Sequence, residues 1–415
     1  MYSVAKYWRV RGLASVFPAG LARLPANRRA MHTVRFGVVG MGGMGLGHCR
    51  FLTEVVPEAT LTAVCDTHPD RAQSAGEQFG VPYFTDHEAM FRSGLLDAVL
   101  IATPHYGHAP VAISAFEHGL HVLVEKPLCV AVSEGDQMIA AAQRAGTKFA
   151  IGYQHRFRPE VQAARRLIEQ GVIGEVRRTL LITAWYRTQA YYDSGGWRAT
   201  WAGEGGGVLI NQAPHFIDLW TWLGGLPSRV FGHTRAALHE IETEDEAFAL
   251  VEYPNGAHGY LYATTNEEPG ENLIEICGDT GKLRLHDGAL QVWRLKHSIR
   301  QFTYEAEGMW DSIPAERIEP PIPPKPDGAL EGQPALIQNF ARAILYDEPL
   351  VAPGDEGLNT VEVINALILS STRNQPVSIP VDRAAYDALL TELKAHSKPK
   401  TRIREQRVTD PNLIR

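Results

Sequence analysis

The chain has 415 residues, of which 45 % are hydrophobic and 21 % are charged, and its formal net charge is −7 at pH 7. This length predicts two domains, and the composition is typical of a soluble globular protein. The charge gives no electrostatic reason to expect nucleic acid or an anionic membrane as partner, and no apolar run has the length of a membrane span.

The first thirty residues are basic and contain no Asp or Glu. Such a composition occurs in targeting peptides. However, Pro18 interrupts the apolar part, and no apolar stretch follows Arg28 and Arg29. We therefore expect residues 1–30 to be a disordered or processed extension of a cytoplasmic protein, with export or organelle targeting as the alternative.

The cysteines show neither metal-binding nor redox spacing. We expect reduced, buried thiols of a cytosolic protein, and we predict no metal site. The residues are Cys49, Cys65, Cys129 and Cys277.

A strand, a glycine-rich turn and a helix follow one another from Val34. The turn, Gly40-Met41-Gly42-Gly43-Met44-Gly45, has the G-x-G-x-x-G pattern in the context that makes it informative. Gly40 permits the tight turn, Gly42 lets backbone N–H groups approach a pyrophosphate, and Gly45 lets the helix pack closely on the strand. The alternative is a glycine turn without a ligand.

The next strand, LTAVCD, ends at Asp66. An acid at this distance from the turn can accept hydrogen bonds from the adenosine ribose hydroxyls. A 2′-phosphate would meet this carboxylate, and Thr67 and His68 supply no arginine to offset the repulsion. The sequence therefore predicts NAD rather than NADP. Asp66 is also placed to cap the helix that begins near Pro69.

Strands and helices continue to alternate in LDAVLIATP, APVAISAFEHG and HVLVEKP. This order predicts a Rossmann-type doubly wound parallel sheet over residues 31–150, with ligands at the carboxyl ends of its strands. Lys126 is either a solvated charge at the sheet edge or an ammonium that polarises a hydroxyl becoming a carbonyl. The other residues predicted at these ends are Thr103, Pro104, His105 and Glu125.

The pattern changes after Lys148. A strand and a helix, FAIGYQHRFRPEVQAARRLIEQG, precede half-buried strand patterns such as TLLITAWYR, AHGYLYATT, NLIEICG, GKLRLH and LQVWRL. Their period of two predicts an α+β domain with a largely antiparallel open sheet over residues 151–390. We expect residues 315–335 to form an extended surface loop and the helices around 334–373 to pack beside the nucleotide domain. Residues 391–415 should be a polar tail that is loose from Lys398.

Aromatic residues and two arginines are concentrated in WYRTQAYYDSGGWRATWAGE. Flat faces with polar rims suit the C–H faces and hydroxyl edges of a sugar ring. The alternative is an aromatic lid that packs on itself. The residues are Trp185, Tyr186, Arg187, Tyr191, Tyr192, Trp197, Arg198 and Trp201.

The segment INQAPHFIDLW places His215 between Asn211 and Asp218. His215 is either a proton-transfer group in a pocket or a core histidine with a hydrogen-bond partner. Pro214 either kinks a helix or marks its start.

With GVVGMGGMGLGH, ATPHYGHAPVAISAFEHGLHVLVEKPL, GYQHRFRP and GEGGGVLINQAPHFIDLW in this order, the chain resembles the Gfo/Idh/MocA oxidoreductases over residues 33–390. This is the family of glucose–fructose oxidoreductase and inositol dehydrogenase. The resemblance implies that Lys126 contacts nicotinamide and substrate and that His215 transfers the proton. It also implies that Trp197 and Arg198 lie near nicotinamide. The open sheet face would pack against another subunit in a homodimer or homotetramer.

The chain departs from many family members at Asn211, where they carry aspartate. An amide supplies no charge to stabilise imidazolium, so we expect His215 to titrate nearer the ordinary value of roughly 6.5 than a carboxylate-paired histidine would. Asp218 either compensates for the missing charge or pairs structurally.

These patterns and the resemblance predict oxidation of a ring secondary hydroxyl of a sugar, glycoside or cyclic polyol to a ketone, with hydride transfer to NAD. The alternatives are NAD-assisted glycoside cleavage through transient oxidation and elimination, and a non-catalytic sugar- or NAD-sensing regulator. The predicted catalytic residues are Lys126, His215 and Asn211. The cofactor set comprises Gly40, Met41, Gly42, Gly43, Met44, Gly45, Asp66, Thr103, Pro104, His105, His108, Glu125, Lys126 and Gln154, and the substrate set comprises Tyr153, His155, Arg156, Tyr186, Trp197, Arg198, Trp201, Asn211 and His215.

Overall fold

The structure is a computed structural model that describes residues 33–404. The expectation for residues 1–30 lies outside the described residues. The strands are β1 Val34–Val39, β2 Ala59–Cys65, β3 Tyr83–Phe84, β4 Ala98–Ile101, β5 His121–Val124, β6 Phe149–Ile151, β7 Val176–Tyr186, β8 Arg229–Arg235, β9 Glu246–Glu252, β10 His258–Thr264, β11 Asn266–Gly278, β12 Gly281–His286, β13 Ala289–Leu295, β14 Ala315–Ile318 and β15 Val377–Ser378. The α-helices are α1 Gly43–Arg50, α2 Pro69–Phe79, α3 His87–Phe91, α4 His108–Glu117, α5 Val132–Ala145, α6 Pro159–Glu169, α7 Gln189–Tyr192, α8 Val208–Asn211, α9 Pro214–Gly224, α10 Ile299–Glu305, α11 Gly332–Tyr346, α12 Gly357–Arg373 and α13 Arg383–His396.

The first sheet contains six parallel strands in the order β3-β2-β1-β4-β5-β6. Every residue of β4 is buried, as expected for a strand covered on both faces. The strand order reverses between β1 and β4, which opens a crevice at their carboxyl ends. The predicted doubly wound parallel sheet is confirmed.

The second sheet contains nine strands in the order β14-β13-β12-β11-β7-β10-β9-β8-β15. β7 and β10 run parallel, and the other neighbours are antiparallel. The predicted largely antiparallel sheet is thus confirmed. Helices α6, α9 and α12 pack on one face. The opposite face carries exposed apolar side chains, among them Phe231, Phe248, Leu250 and Tyr260.

Two long helices late in the chain join the sheets. α11 packs against β1, β2 and β5, and the ring centroids of Phe340 and Phe36 lie 6.0 Å apart. α12 packs against β8 and α5, where Asn365 accepts from the Val132 N–H at 3.0 Å and donates to the Val130 carbonyl at 3.0 Å. Within residues 33–404, no helix combines the length and apolar character needed to cross a membrane.

Two expectations about irregular segments need correction. Residues 315–335 begin with β14, which pairs with β13, and end in the first turn of α11, so only residues 319–331 form the exposed connection. The predicted polar tail begins within α13, which extends to His396, and the segment from Lys398 that was expected to be loose is anchored: the Arg404 N–H donates to the Asp193 carbonyl at 2.8 Å. Residues 405–415 lie outside the described part of the chain.

The cysteines are free thiols in this structure, and Cys49, Cys65 and Cys129 are buried. Burial raises the pKa of the Cys49 and Cys65 thiols to about 12. These thiols are therefore protonated at neutral pH and lack the thiolate that redox chemistry requires. Cys277 is half-buried, so it departs from the prediction.

Candidate active site

The glycine turn after β1 forms a cradle for an anion. Gly40 has φ +98°, a conformation that other residues rarely adopt. A Cβ on Gly45 would lie 1.8 Å from the Gly40 carbonyl oxygen, so helix and turn meet at van der Waals contact. A Cβ on Gly42 would meet nothing within 4 Å, which leaves open space above the turn. The first N–H groups of α1 have no partner within the helix, so the cradle fits a pyrophosphate.

Asp66 lies beside this cradle and holds the turn. Its Oδ2 accepts the Met41 N–H at 2.8 Å, so that N–H is not free for a ligand. Its Oδ1 accepts the His68 N–H at 2.9 Å. The predicted role of Asp66 as the cap of α2 is wrong, because His68 is the N-cap residue and no side chain caps that helix. Each carboxylate oxygen has a second lone pair, and these fit the ribose hydroxyls.

Thr103, Pro104 and His105 follow β4 at the crevice. The Thr103 hydroxyl is buried and has no hydrogen-bond partner among the described residues, which suits a site that a ligand completes. The His105 Nδ1 lies 3.0 Å from the Glu204 carbonyl oxygen, and its ring meets the Trp197 ring edge-on at 5.9 Å. The end of β4 thus contacts the segment predicted to bind substrate.

His108 and Glu125 are engaged inside the protein. The His108 ring nitrogens lie 2.7 Å from the Pro127 carbonyl oxygen and 3.0 Å from that of Thr103. Glu125 Oε1 lies 2.7 Å from His48 Nε2. Burial raises the Glu125 pKa, but the hydrogen bond to His48 outweighs this effect, so the pKa is lowered. We therefore revise both predicted cofactor contacts: these side chains brace the strand ends.

Lys126 connects the two halves of the site. Its Nζ donates to the Asn211 carbonyl oxygen at 2.8 Å, and its side chain is half-buried. Burial lowers the Lys126 pKa, and the charges of Glu125 and Glu204 oppose that shift. The Lys126 ammonium is thus hydrogen-bonded within the protein, and its contact with nicotinamide and substrate stays a prediction.

His215 lies in the first turn of α9. Pro214 is the first residue of that helix, so the proline marks a helix start rather than a kink. The His215 ring stacks on His155 with centroids 4.5 Å apart, and the Tyr153 ring meets it edge-on at 6.1 Å. The His215 Nδ1 is buried and has no hydrogen-bond partner among the described residues.

The His215 pKa lies well below its ordinary value, chiefly because of burial and then because of His155, Lys126 and Arg158. The expectation of a value near 6.5 was therefore wrong. That expectation considered only the missing carboxylate, whereas desolvation and the nearby cations Lys126 and Arg158 also disfavour the imidazolium form of His215. His215 is a neutral imidazole at neutral pH and can accept a proton.

The sequence analysis missed Glu204, which lies within the glycine run. Its side chain is 1 % exposed, and burial raises its pKa. Its Oε1 accepts from the Asn211 side-chain amide, and its Oε2 accepts the Ala199 N–H at 2.5 Å. The only signal in the sequence was an acid between glycines, which is usually a solvated loop residue.

The aromatic segment forms a wall beside these groups. The Arg198 guanidinium lies over the Tyr191 ring at 4.3 Å and the Trp197 ring at 4.8 Å, and it donates to the Tyr191 hydroxyl at 2.6 Å. The Trp197 side chain is 36 % exposed. Part of the segment thus packs on itself, while Trp197 presents an open aromatic face.

Arg156 is not available to a substrate. Its Nη2 and Nε donate to Asp218 at 2.6 and 2.9 Å, and Nη1 pairs with Glu356. The Arg156 side chain is buried. We therefore revise its predicted substrate role to a structural ion pair. Asp218 therefore pairs structurally with Arg156 and does not compensate for the charge that is missing near His215.

Tyr186 and Trp201 flank the site differently. Tyr186 ends β7 with 46 % of its side chain exposed. Trp201 packs against the hydrophobic core, and its carbonyl accepts from the Tyr106 hydroxyl at 2.7 Å. Tyr186 remains a predicted substrate contact at the rim, whereas Trp201 anchors the wall.

Several buried polar atoms of the site have no hydrogen-bond partner within residues 33–404. Such atoms cost free energy unless a ligand or water satisfies them, and their convergence marks a polar binding site. Gln212 belongs to this set, although the sequence analysis did not select it. The atoms are Thr103 Oγ1, Gln154 Oε1, His155 Nδ1, Arg198 Nε, Gln212 Oε1 and His215 Nδ1. In the described range, no group of three or more His, Cys, Asp or Glu residues is arranged to hold a metal ion.

Two family models match the chain. Residues 34–153 match the model described as "Oxidoreductase family, NAD-binding Rossmann fold". Residues 161–284 match the "GFO/IDH/MocA C-terminal domain". Together the matches include the glycine turn, Lys126, Glu204 and His215.

Individual relatives cover most of the chain. The scyllo-inositol 2-dehydrogenase (NAD(+)) of Bacillus subtilis is 26 % identical over 85 % of this chain and 98 % of its own. A 2,7-anhydro-N-acetylneuraminate hydratase of Mediterraneibacter gnavus is 34 % identical over 61 % of this chain and 68 % of its own. The WlbA dehydrogenase of Bordetella pertussis, solved with NADH and UDP-GlcNAcA, is 28 % identical with a TM-score of 0.71, covering 85 % of this chain and 100 % of that chain.

Proposed function

The chain belongs to the Gfo/Idh/MocA oxidoreductase family, and on this premise we propose that it oxidises a ring secondary hydroxyl of a sugar, glycoside or cyclic polyol to a ketone. The N-terminal domain is an NAD-binding Rossmann domain. The observation that carries the proposal is the link between Lys126, at the end of β5, and the segment that bears His215. The names of the inositol, apiose and levoglucosan dehydrogenases among its relatives support the substrate class.

Lys126 and His215 have complementary tasks in this reaction. Bound NAD supplies the hydride acceptor. The neutral His215 imidazole accepts the hydroxyl proton, which its lowered pKa permits at neutral pH. Lys126 has three N–H groups and uses one on the Asn211 carbonyl, so two remain to stabilise the substrate oxygen as it becomes a carbonyl. Correct placement of such groups contributes about 7–11 kcal/mol to lowering the barrier.

The preference for NAD over NADP rests on Asp66. Its carboxylate is nearly buried beside the glycine turn and is already fixed by two backbone N–H groups. A 2′-phosphate would place like charges together, whereas ribose hydroxyls can donate to the remaining lone pairs.

The test is a pair of substitutions, Lys126→Met and His215→Asn, assayed for NADH formation with a panel of inositols, anhydro-sugars and glycosides. Each should lower kcat roughly a hundredfold or more, while NADH binding measured by fluorescence is retained. His297→Asn, at an exposed histidine after β13, is the control and should retain full activity. Normal NADH production by both active-site variants would overturn the assignment.

A second candidate is reversible elimination or hydration through a transiently oxidised ring carbon. The relative named a 2,7-anhydro-N-acetylneuraminate hydratase favours keeping it. In that case product would form without net NADH, so mass spectrometry of the sugar alongside absorbance at about 340 nm, the nicotinamide band, separates the two reactions. A non-catalytic regulator has no need for the half-buried Lys126–Asn211 link.

We also propose a homo-oligomer assembled through the open face of the second sheet. Phe231, Phe248, Leu250 and Tyr260 are each more than two-fifths exposed on that face, at 44 %, 45 %, 54 % and 41 %. A contiguous exposed apolar surface of this kind is typical of a protein interface.

A further inference from the structure

We propose that Glu204 is a positioning residue of this site: it fixes the orientation of the Asn211 amide and, through Asn211, places a negative charge one hydrogen-bonded residue away from the Lys126 ammonium. The inference rests on the proposed function, because it concerns the same reacting centre. In this proposal the reaction needs the charge of Glu204, although Glu204 does not touch the substrate.

The contacts place Glu204 at the centre of the site. Its Oε1 accepts from the Asn211 amide, and the Asn211 carbonyl accepts from Lys126 Nζ at 2.8 Å. Its own carbonyl oxygen lies 3.0 Å from His105 Nδ1, and Arg198 Nη1 lies 3.9 Å from Oε1. Glu204 therefore contacts Asn211, Arg198 and His105 directly and reaches Lys126 through Asn211, which joins the 198–211 segment to the residues that follow β4 and β5.

The surrounding loop is shaped to hold this carboxylate. Oε2 accepts the N–H of Ala199, a non-glycine residue with φ +50°. Such a conformation is strained and persists only where neighbouring contacts impose it. A Cβ on Gly203 would lie 2.5 Å from the Trp197 carbonyl oxygen, so the chain can turn this tightly only with glycine there.

A carboxylate fixes the Asn211 amide because it can only accept hydrogen bonds. Asn211 must present Nδ2 to Glu204, which turns Oδ1 the other way. That oxygen can only accept, so it selects a ligand group that donates, such as a sugar hydroxyl. The pair therefore favours a polyol with a further hydroxyl near the reacting one.

The charge of Glu204 bears on Lys126 because the ammonium is desolvated. Burial lowers the Lys126 pKa, Glu125 and Glu204 raise it, and Arg198 lowers it. Glu125 is already paired with His48. Among the described residues, the other titratable groups that interact with Lys126 are His105, His108, His155 and His215.

The test measures the Lys126 pKa directly, without turnover. The full-length protein is labelled with a lysine-acylating reagent across a pH series, and peptide mass spectrometry follows modification of Lys126. Glu204→Gln should lower the pH at which Lys126 becomes reactive by about one unit or more. Glu362→Gln is the matched control, because Glu362 lies on α12, outside the site, where it is buried and accepts a backbone N–H.

Activity provides the second readout. Glu204→Gln should lower kcat at least tenfold and shift the alkaline limb of its pH profile downward with Lys126. Glu204→Gln combined with Asn211→Asp exchanges the two groups, so that the amide donor lies at position 204 and the carboxylate acceptor at position 211. This double variant should restore both kcat and the alkaline limb. A role confined to folding would predict no such restoration.

The two proposals fail in different ways. If the wild type is active but Lys126 reactivity is unchanged in Glu204→Gln, or the double variant is as impaired as the single one, Glu204 has no positioning role. If the wild type oxidises no sugar while the labelling shift appears, the function is wrong and the charge coupling stands.

Discussion

At the scale of single residues, His215 illustrates how position determines chemistry. It stacks on His155, lies within the electrostatic reach of Lys126 and Arg158, and occupies the first turn of α9, where the helix carries partial positive charge. Each of these disfavours imidazolium. The residue therefore remains a base under conditions in which an exposed histidine would be half protonated.

The acid limb of the pH profile of kcat/KM should accordingly lie below the ordinary histidine pKa of about 6.5. A base must be unprotonated to accept the substrate proton, and a lowered pKa keeps it so at lower pH. His155→Ala exposes one face of His215 and should move the limb upward. The control is His396→Ala, at the exposed end of α13, which should leave the limb in place. A wild-type limb at or above pH 6.5 would contradict the assignment of His215 as the base.

The sequence selected Lys126 and His215 as candidates because each lies in a motif whose spacing is tied to one place in the fold. It could not show that Arg156 and His108 are engaged by partners elsewhere in the chain, Asp218 and the Pro127 carbonyl. Glu204 was missed for the converse reason. Its burial depends on a loop that closes only in three dimensions.

At the scale of elements, two glycines of the same turn, Gly45 and Gly42, are needed for different reasons. Gly45 is needed for packing, since a Cβ there would lie 1.8 Å from the Gly40 carbonyl oxygen. Gly42 has nothing within 4 Å of such a Cβ and an ordinary φ of −78°, so the fold itself does not require glycine there. Its requirement comes from the ligand.

Gly45→Ala should therefore destabilise the protein by about 1–3 kcal/mol, the usual cost of overpacking. Gly42→Ala should leave the melting temperature unchanged and weaken NAD binding by roughly tenfold, which corresponds to about 1.4 kcal/mol. Thermal denaturation with and without NAD measures both. Gly47→Ala, in the same helix and also with open space, is the control and should affect neither. Equal NAD affinity in Gly42→Ala and wild type would show that the turn does not carry the pyrophosphate.

Elements with a continuous or alternating apolar pattern were predictable, and elements without such a pattern were not. β4 and β7 show continuous or alternating apolar patterns, which burial on two faces or one face imposes. α10 has no buried residue, and β14 is held mainly by pairing with β13, so neither leaves a pattern in its own sequence. The segment after His396 is anchored to the 193–202 loop mainly by backbone and polar atoms. Such contacts leave no apolar pattern in the sequence, and the segment was therefore expected to be loose.

At the scale of the whole molecule, the part of the chain that the structure describes places no helix on one face of the second sheet. Register pairs Phe231 with Leu250, Leu250 with Tyr260, and Tyr260 with Leu180, so these side chains form a row across four strands. A hydrophobic row on a sheet without a covering helix promotes association. A two-fold arrangement would bring the same row of two copies together.

Leu250→Lys should therefore shift the wild-type oligomer to a smaller species. Leu250 is the centre of the row and is 54 % exposed in the single chain. A two-fold interface would bury the introduced charge in both copies at once, and such a cost exceeds what a standard interface of roughly 1,600 Å² tolerates without rearrangement. Sedimentation velocity at micromolar protein concentration measures the change. Leu238→Lys supplies the control, because Leu238 is 62 % exposed but lies in the loop after β8, off the row. A monomeric wild type, or identical sedimentation of wild type and Leu250→Lys, would show that this face does not mediate assembly.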